Sequence, residues 1–169
     1  MSAVAIDTEH QMALKAVIIF DNIALAARAI SALENAASNA GETIKWDIKS
    51  WQADVLKRPD LTGVTVAAAI DADLVVLALD RMRTASDELL DWLEHWSEHR
   101  KIEDAAILAF CPDEAPGDFF NELKWFTEWR GLNFLESRDT PENVIQLGRL
   151  VPHAVPAVSR ETLLAQPAE

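Results

Sequence analysis

Residues 73–82 read Asp73-Leu74-Val75-Val76-Leu77-Ala78-Leu79-Asp80-Arg81-Met82, and this run decides the fold. Six apolar residues in succession, Leu74 to Leu79, leave no polar face. A strand built from them must be covered on both sides, which is the condition of a central parallel strand. Its carboxyl end delivers Asp80 to the rim at which open parallel sheets bind ligands. Just beyond, Thr84 or Ser86 caps a helix to about Lys101, in which Leu89, Trp92, Leu93 and Trp96 recur at helical spacing.

The same reading extends in both directions. Upstream, residues 15–20 form a short apolar strand, followed by an Ala-rich amphipathic helix over residues 23–40 that stops at Gly41. Ile44, Trp46 and Ile48 alternate with Lys45, Asp47 and Lys49, the pattern of a strand with one wet face. After Trp51, a loop holding Pro59 and Gly63 leads to an apolar helix over residues 64–72. Downstream, residues 105–110 are the fourth strand, Cys111-Pro112 ends it, and an aromatic helix over residues 118–130 closes at Gly131. Residues 133–136 are a short fifth strand, and Thr140-Pro141 starts a helix to about Arg149. Strict strand–helix alternation predicts an α/β protein, a three-layer doubly wound five-stranded parallel sheet. The alternating second strand and the short fifth belong at the edges, giving order 2-1-3-4-5, the flavodoxin-like arrangement, with any site where strands one and three end. One domain over residues 15–150 is expected, preceded by an extension (residues 1–14) and followed by an irregular Pro-bearing arm (residues 151–169).

Composition narrows the function classes. A net charge of −13 repels phosphate backbones and anionic lipid, so neither a nucleic-acid nor a membrane partner is expected. The single cysteine, Cys111, excludes an internal disulfide and a cysteine-based zinc cluster, and the opening stretch carries acids rather than a basic, apolar leader. The expected compartment is the cytoplasm.

The segments VIIFDNIALAARAI (residues 17–30) and DLVVLALDRM (residues 73–82) resemble the first and third strand regions of response-regulator receiver domains. The resemblance covers residues 15–149 in topology and texture, and it implies specific chemistry: paired acids after strand one for magnesium, an acceptor aspartate after strand three, a hydroxyl after strand four and a lysine after strand five. Here the first position offers Asp21 followed by Asn22, and the acceptor position holds Ala78, or Asp80 if the strand shifts by two. Cys111 stands near the hydroxyl, and residues 136–138 supply Glu136, Ser137 and Arg138 but no lysine. Phosphoryl transfer needs the metal and the cation, so the chain resembles a receiver without its phosphorylation residues.

Flavodoxins share the topology, yet a flavin phosphate wants a Ser/Thr/Gly-rich turn, and Asp21-Asn22-Ile23-Ala24 opens with a carboxylate and has no glycine. P-loop and dinucleotide fingerprints are absent for the same reason, and no cofactor is expected. Arg81 and Arg83, ahead of the Thr84 cap, are placed to meet an anion, although pairing with Asp21 or Asp80 is the simpler fate. His95 and His99 have zinc-ligand spacing but share a polar face with Asp91 and lack a third ligand, so no metal is expected. Cys111 reads as a structural thiol, since no motif supplies it with a base.

Two readings remain. The preferred one is a non-catalytic interaction module of signalling or regulatory type that pairs with a second copy or a protein partner. Its surface is the helix over residues 118–130: Phe119, Phe120, Leu123 and Phe126 define the inward arc, leaving Trp125 and Trp129 outside, whereas Trp92 and Trp96 point inward. A return of the arm after Val151 over the two indoles competes with that interface. The second reading is a small-molecule or anion-binding protein or enzyme using a rim of Asp21, Asn22, Asp80, Arg81, Arg83 and Thr84.

Overall fold

Leu14, Ala16, Val17, Ile18 and Ile19 put apolar groups on both sides of one extended segment, and all five are buried in the computed structural model. They belong to β1 (Met12–Phe20). The structure describes residues 12–39, 44–80, 86–111 and 118–138. Along them β1 is followed by α1 (Ile23–Asn39), β2 (Ile44–Gln52), a short 3-10 helix (Ala53–Lys57), α2 (Pro59–Ala69), β3 (Leu74–Ala78), α3 (Asp87–His99), β4 (Ala106–Cys111), α4 (Asp118–Arg130) and β5 (Asn133–Arg138). Adjacent strands pair in parallel, in order β2-β1-β3-β4-β5, as the strand patterns predict.

The pleat sorts the core into two layers. Val17, Ile19, Val75, Leu77 and Ile107 face α2, α3 and α4; Ala16, Ile18, Leu74, Val76 and Leu108 face the other way, where Leu25, Ala29, Leu33 and Ala36 of α1 meet them. β3 is buried at every residue, whereas edge strand β2 alternates between half-buried Ile44, Trp46, Ile48 and exposed Lys45, Asp47, Lys49.

Indole N–H groups tie the layers together. Trp46 Nε1 donates to the Leu33 carbonyl at 2.9 Å, holding β2 to α1. Trp92 Nε1 donates to Thr65 Oγ1 at 2.9 Å and Trp96 Nε1 to the Ala69 carbonyl at 2.8 Å, holding α3 to α2. Thr65, fully buried, donates its own hydroxyl to the Thr62 carbonyl at 2.9 Å, so no polar side-chain atom of this junction is left without a partner.

Several boundaries differ from the sequence reading. Pro59 and Gly63 belong to α2 rather than to a loop, and the helix ends at Ala69 instead of running to 72. Proline at the first helical position loses no hydrogen bond, and a Cβ at Gly63 would meet nothing within 4 Å, so this glycine weakens the helix without breaking it. The helix stops because Asp73 is drawn into the sheet, its N–H donating to the Lys15 carbonyl at 2.9 Å and its carboxylate accepting from Lys15 N at 2.8 Å. β1 begins at Met12 rather than Lys15, β4 runs from Ala106 to Cys111 rather than over 105–110, α3 stops at His99, and β5 reaches Arg138 through polar residues whose periodicity gave no strand signal. α4 spans the expected residues and ends on Gly131 at φ 69°, the left-handed conformation of a glycine cap. The Gly41 cap, the Thr84 cap, the helix over residues 141–149 and the arm over residues 151–169 lie outside the described residues.

Candidate functional site

Two surfaces carry the residues that the sequence marks out. The first is the rim at the carboxyl ends of β1 and β3, where chain direction makes parallel sheets diverge. Only Asp21 and Asn22 separate β1 from α1. Asn22 is the α1 cap: its Oδ1 accepts from Ala24 N at 2.9 Å and from Leu25 N at 3.4 Å, and its carbonyl accepts from Ala26 N at 3.0 Å. Asp21 Oδ1 accepts from the Asp80 backbone N–H at 2.8 Å, pinning the end of β1 to the end of β3. Ala78, at the acceptor position of the receiver resemblance, is fully buried, and Asp80 is exposed. The structure thus brings Asp21, Asn22 and Asp80 together at one rim; Arg81, Arg83 and Thr84 lie outside the described residues. Ser86, the other cap candidate, takes the role: its Oγ accepts from Leu89 N at 3.2 Å.

The second surface is the outer side of α4. Phe119, Phe120, Leu123 and Phe126 are buried against the sheet, while Trp125 and Trp129 are 64% and 61% exposed. Both pairs of tryptophans sit i,i+4 on a helix, yet Trp92 and Trp96 are buried and Trp125 and Trp129 are not. The two outer rings stack on each other, centroids 5.8 Å apart and planes 10° from parallel. Arg130 places its guanidinium 4.4 Å from the Trp129 ring centroid and donates to Glu94 at 3.1 Å and Glu98 at 3.4 Å on α3. Arg100 fastens the same corner from below, donating to the Ser97 carbonyl at 2.6 Å and to the Arg130 carbonyl at 3.0 Å. The stack is therefore held in place by an arginine that is itself fixed between two helices.

Arg130 is the residue of this surface that sequence reasoning missed. Its signal was present: a basic residue in the last turn of one helix and glutamates at i,i+4 on the preceding one. The pair Lys15–Asp71, at the opposite end of the sheet, was also missed. The hydrogen bond from Lys15 holds the Asp71 carboxyl below its ordinary value against an opposing desolvation, and the same bond raises Lys15. Its side chains are 46% and 41% exposed, so it reads as a surface contact. His95 and His99 are exposed with ring centroids 4.5 Å apart, and His99 Nδ1 lies 2.8 Å from the His95 carbonyl. Among the described residues no group of three His, Cys, Asp or Glu side chains is placed to hold a metal ion. Among them, too, no helix is long and apolar enough to cross a membrane.

No family model and no curated protein matches the chain. Solved structures do. The flavodoxin-like domain of a Synechococcus protein is 14% identical, with 86% of this chain and 99% of that one covered at a TM-score of 0.54. A flavodoxin from the domain Archaea is 11% identical, with 86% and 99% covered at 0.51. A diflavin flavoprotein A3 from Nostoc is 14% identical, with 92% and 99% covered at 0.54. Such identities show the fold alone. The β1–α1 turn is a poor match for the phosphate that a flavin nucleotide carries: Asn22 already takes the Ala24 and Leu25 amides at the start of α1, and Asp21 sets a carboxylate beside them. The chain has a flavodoxin-like fold.

Proposed function

We propose that this flavodoxin-like chain is a non-catalytic interaction module, receiver-shaped but relieved of phosphoryl chemistry, which docks a protein partner or a second copy of itself through α4. The observation that carries the reading is the exposed, stacked pair Trp125/Trp129, held against α3 by Arg130. Tryptophan and arginine concentrate at the energetic centres of interfaces, and rings already fixed in place lose little entropy when they are covered. Buried Ala78 at the acceptor position and the Asp21–Asp80 backbone link support the absence of phosphorylation from the role. Sedimentation of wild type against Trp125→Ala/Trp129→Ala tests it. An assembly that the double variant converts to a folded monomer supports the reading; a wild-type monomer whose Trp125 and Trp129 are shielded from aqueous quenchers opposes it.

A second reading, a small-molecule or anion site, is favoured by one observation: Asp21 and Asp80 meet at the β1/β3 switch point, where this topology binds ligands. A thermal-shift screen with phosphate, nucleotides, flavins and divalent metals addresses it. A melting temperature raised by one of them, with the shift lost in Arg81→Ala, would move the function from α4 to the rim.

A further inference from the structure

Helix α3 reads Asp-Glu-Leu-Leu-Asp-Trp-Leu-Glu-His-Trp-Ser-Glu-His from Asp87 to His99, with five carboxylates and neither lysine nor arginine. Its buried side is Leu89, Trp92, Leu93, Trp96 and Ser97, and all five acids are exposed. This one-signed surface is continuous with the exposed tryptophans. Arg130 spans the junction, its guanidinium 4.4 Å from the Trp129 ring and within 3.1 Å of Glu94. On α4 itself, exposed Glu122 and Glu128 flank the rings on either side, and exposed Lys124 is the cation beside them. An aromatic platform bordered by carboxylates attracts cations twice, through ring faces and through charge.

Resting on the proposed interaction role, we infer that the occupant of the α3/α4 face is a cationic, amphipathic segment of another protein, whose apolar residues cover Trp125 and Trp129 while its lysines or arginines face Glu88, Asp91 and Glu128. A second copy of this chain suits the face less well. An isologous contact centred on the rings, in which residue i meets j and j meets i, sets the α3 acids of one copy against the α4 flank of the other, where exposed Glu122 and Glu128 outnumber Lys124, in a protein already carrying net charge −13. Charge complementarity therefore selects a basic partner over self-association.

The test uses the full chain and a fluorescently labelled peptide of Leu/Lys heptads, with a control peptide in which every Lys is Glu. Anisotropy should report binding of the Lys peptide only. Affinity should fall at least about tenfold as salt shortens the screening length from about 10 Å to about 3 Å. It should fall about tenfold or more in Trp125→Ala/Trp129→Ala, and severalfold in Glu88→Gln/Asp91→Asn, which leaves the Arg130 clamp intact. Far-ultraviolet circular dichroism and the melting temperature establish that both variants are folded. Equal binding of the two peptides, or binding untouched by either variant, overturns the inference. Absence of binding by a wild type that sediments as a dimer, and that the Trp variant dissociates, also overturns it and leaves the interaction role standing with a second copy as occupant. Absence of binding by a monomer whose Trp125 and Trp129 resist acrylamide overturns both, since the chain then covers its own indoles.

Discussion

Removing the outer tryptophan pair should barely disturb folding, whereas removing the inner pair should abolish it. Trp92 and Trp96 are 1% and 0% exposed. Truncating a buried aromatic ring to alanine costs about 3–5 kcal/mol, while the Ala69 carbonyl that loses the Trp96 indole N–H keeps its bond from Ala72 N at 3.0 Å. Trp92→Ala/Trp96→Ala thus forfeits about 6–10 kcal/mol, comparable to the whole stability of an average domain. In α4 only about a third of each indole is covered. At about 25 cal/mol per Å² and about 200 Å² per ring, this burial is worth about 1.5 kcal/mol each, and alanine returns about 0.5 kcal/mol per site in helix propensity. The net loss for Trp125→Ala/Trp129→Ala is about 2 kcal/mol. Urea unfolding followed by circular dichroism at 222 nm measures both, with a conserved slope confirming that the same unit unfolds. A loss above about 5 kcal/mol in the α4 variant would refute the reasoning, because it would make the outer pair part of a core.

Three further outcomes are expected. Magnesium with acetyl phosphate or beryllofluoride should leave the mass and the amide spectrum unchanged; one added phosphate mapping to Asp80 and lost in Asp80→Asn would contradict the non-catalytic reading. Gly63→Ala should raise stability by about 0.5–1 kcal/mol, since the position is helical and open, whereas Gly131→Ala should lower it by about 1 kcal/mol because φ is 69° there; urea midpoints distinguish the two. For Lys15–Asp71 the signs differ by partner: a lowered Asp71 stabilises above the ordinary carboxylate range and loses that contribution as pH falls through its folded value, while a raised Lys15 stabilises up to the ordinary lysine range and loses it above. The stability difference between wild type and Asp71→Asn should accordingly be level from about pH 5 to about pH 9 and shrink outside those limits; a step near neutrality would show that another group controls it.

Strand identity and order were legible because burial on both faces writes an uninterrupted apolar run, as in Leu74 to Leu79, while an edge writes alternation, as in Ile44 to Lys49. The opposite fates of the tryptophan pairs followed from the positions of Leu89 and Leu93 in one helix and of Leu123 and Phe126 in the other. Pro59 and Gly63 misled because each is a breaker in isolation, and only context shows that Pro59 starts α2 and Gly63 is tolerated within it. β5 was under-read by two residues because Ser137 and Arg138 take their extended form from pairing with Phe110 and Cys111, not from propensity. At the site, Asp21 was visible as a residue, but its bond to the Asp80 amide depends on two strand ends separated by fifty-nine residues. The parts of the Arg130 clamp, a basic last turn and the Glu94/Glu98 pair, were each visible, but their meeting depends on how two helices pack.

Hydroxyl-radical footprinting read by mass spectrometry shows which indoles are covered, comparing the free chain with the chain saturated by the Leu/Lys peptide or, failing binding, concentrated until it self-associates. Trp125 and Trp129 should be oxidised readily in the free chain while Trp92 and Trp96 are spared, and engagement should protect the outer pair. Outer indoles already protected in the free monomer, or protection that appears around Asp21 and Asp80 and leaves α4 unchanged, would contradict this expectation.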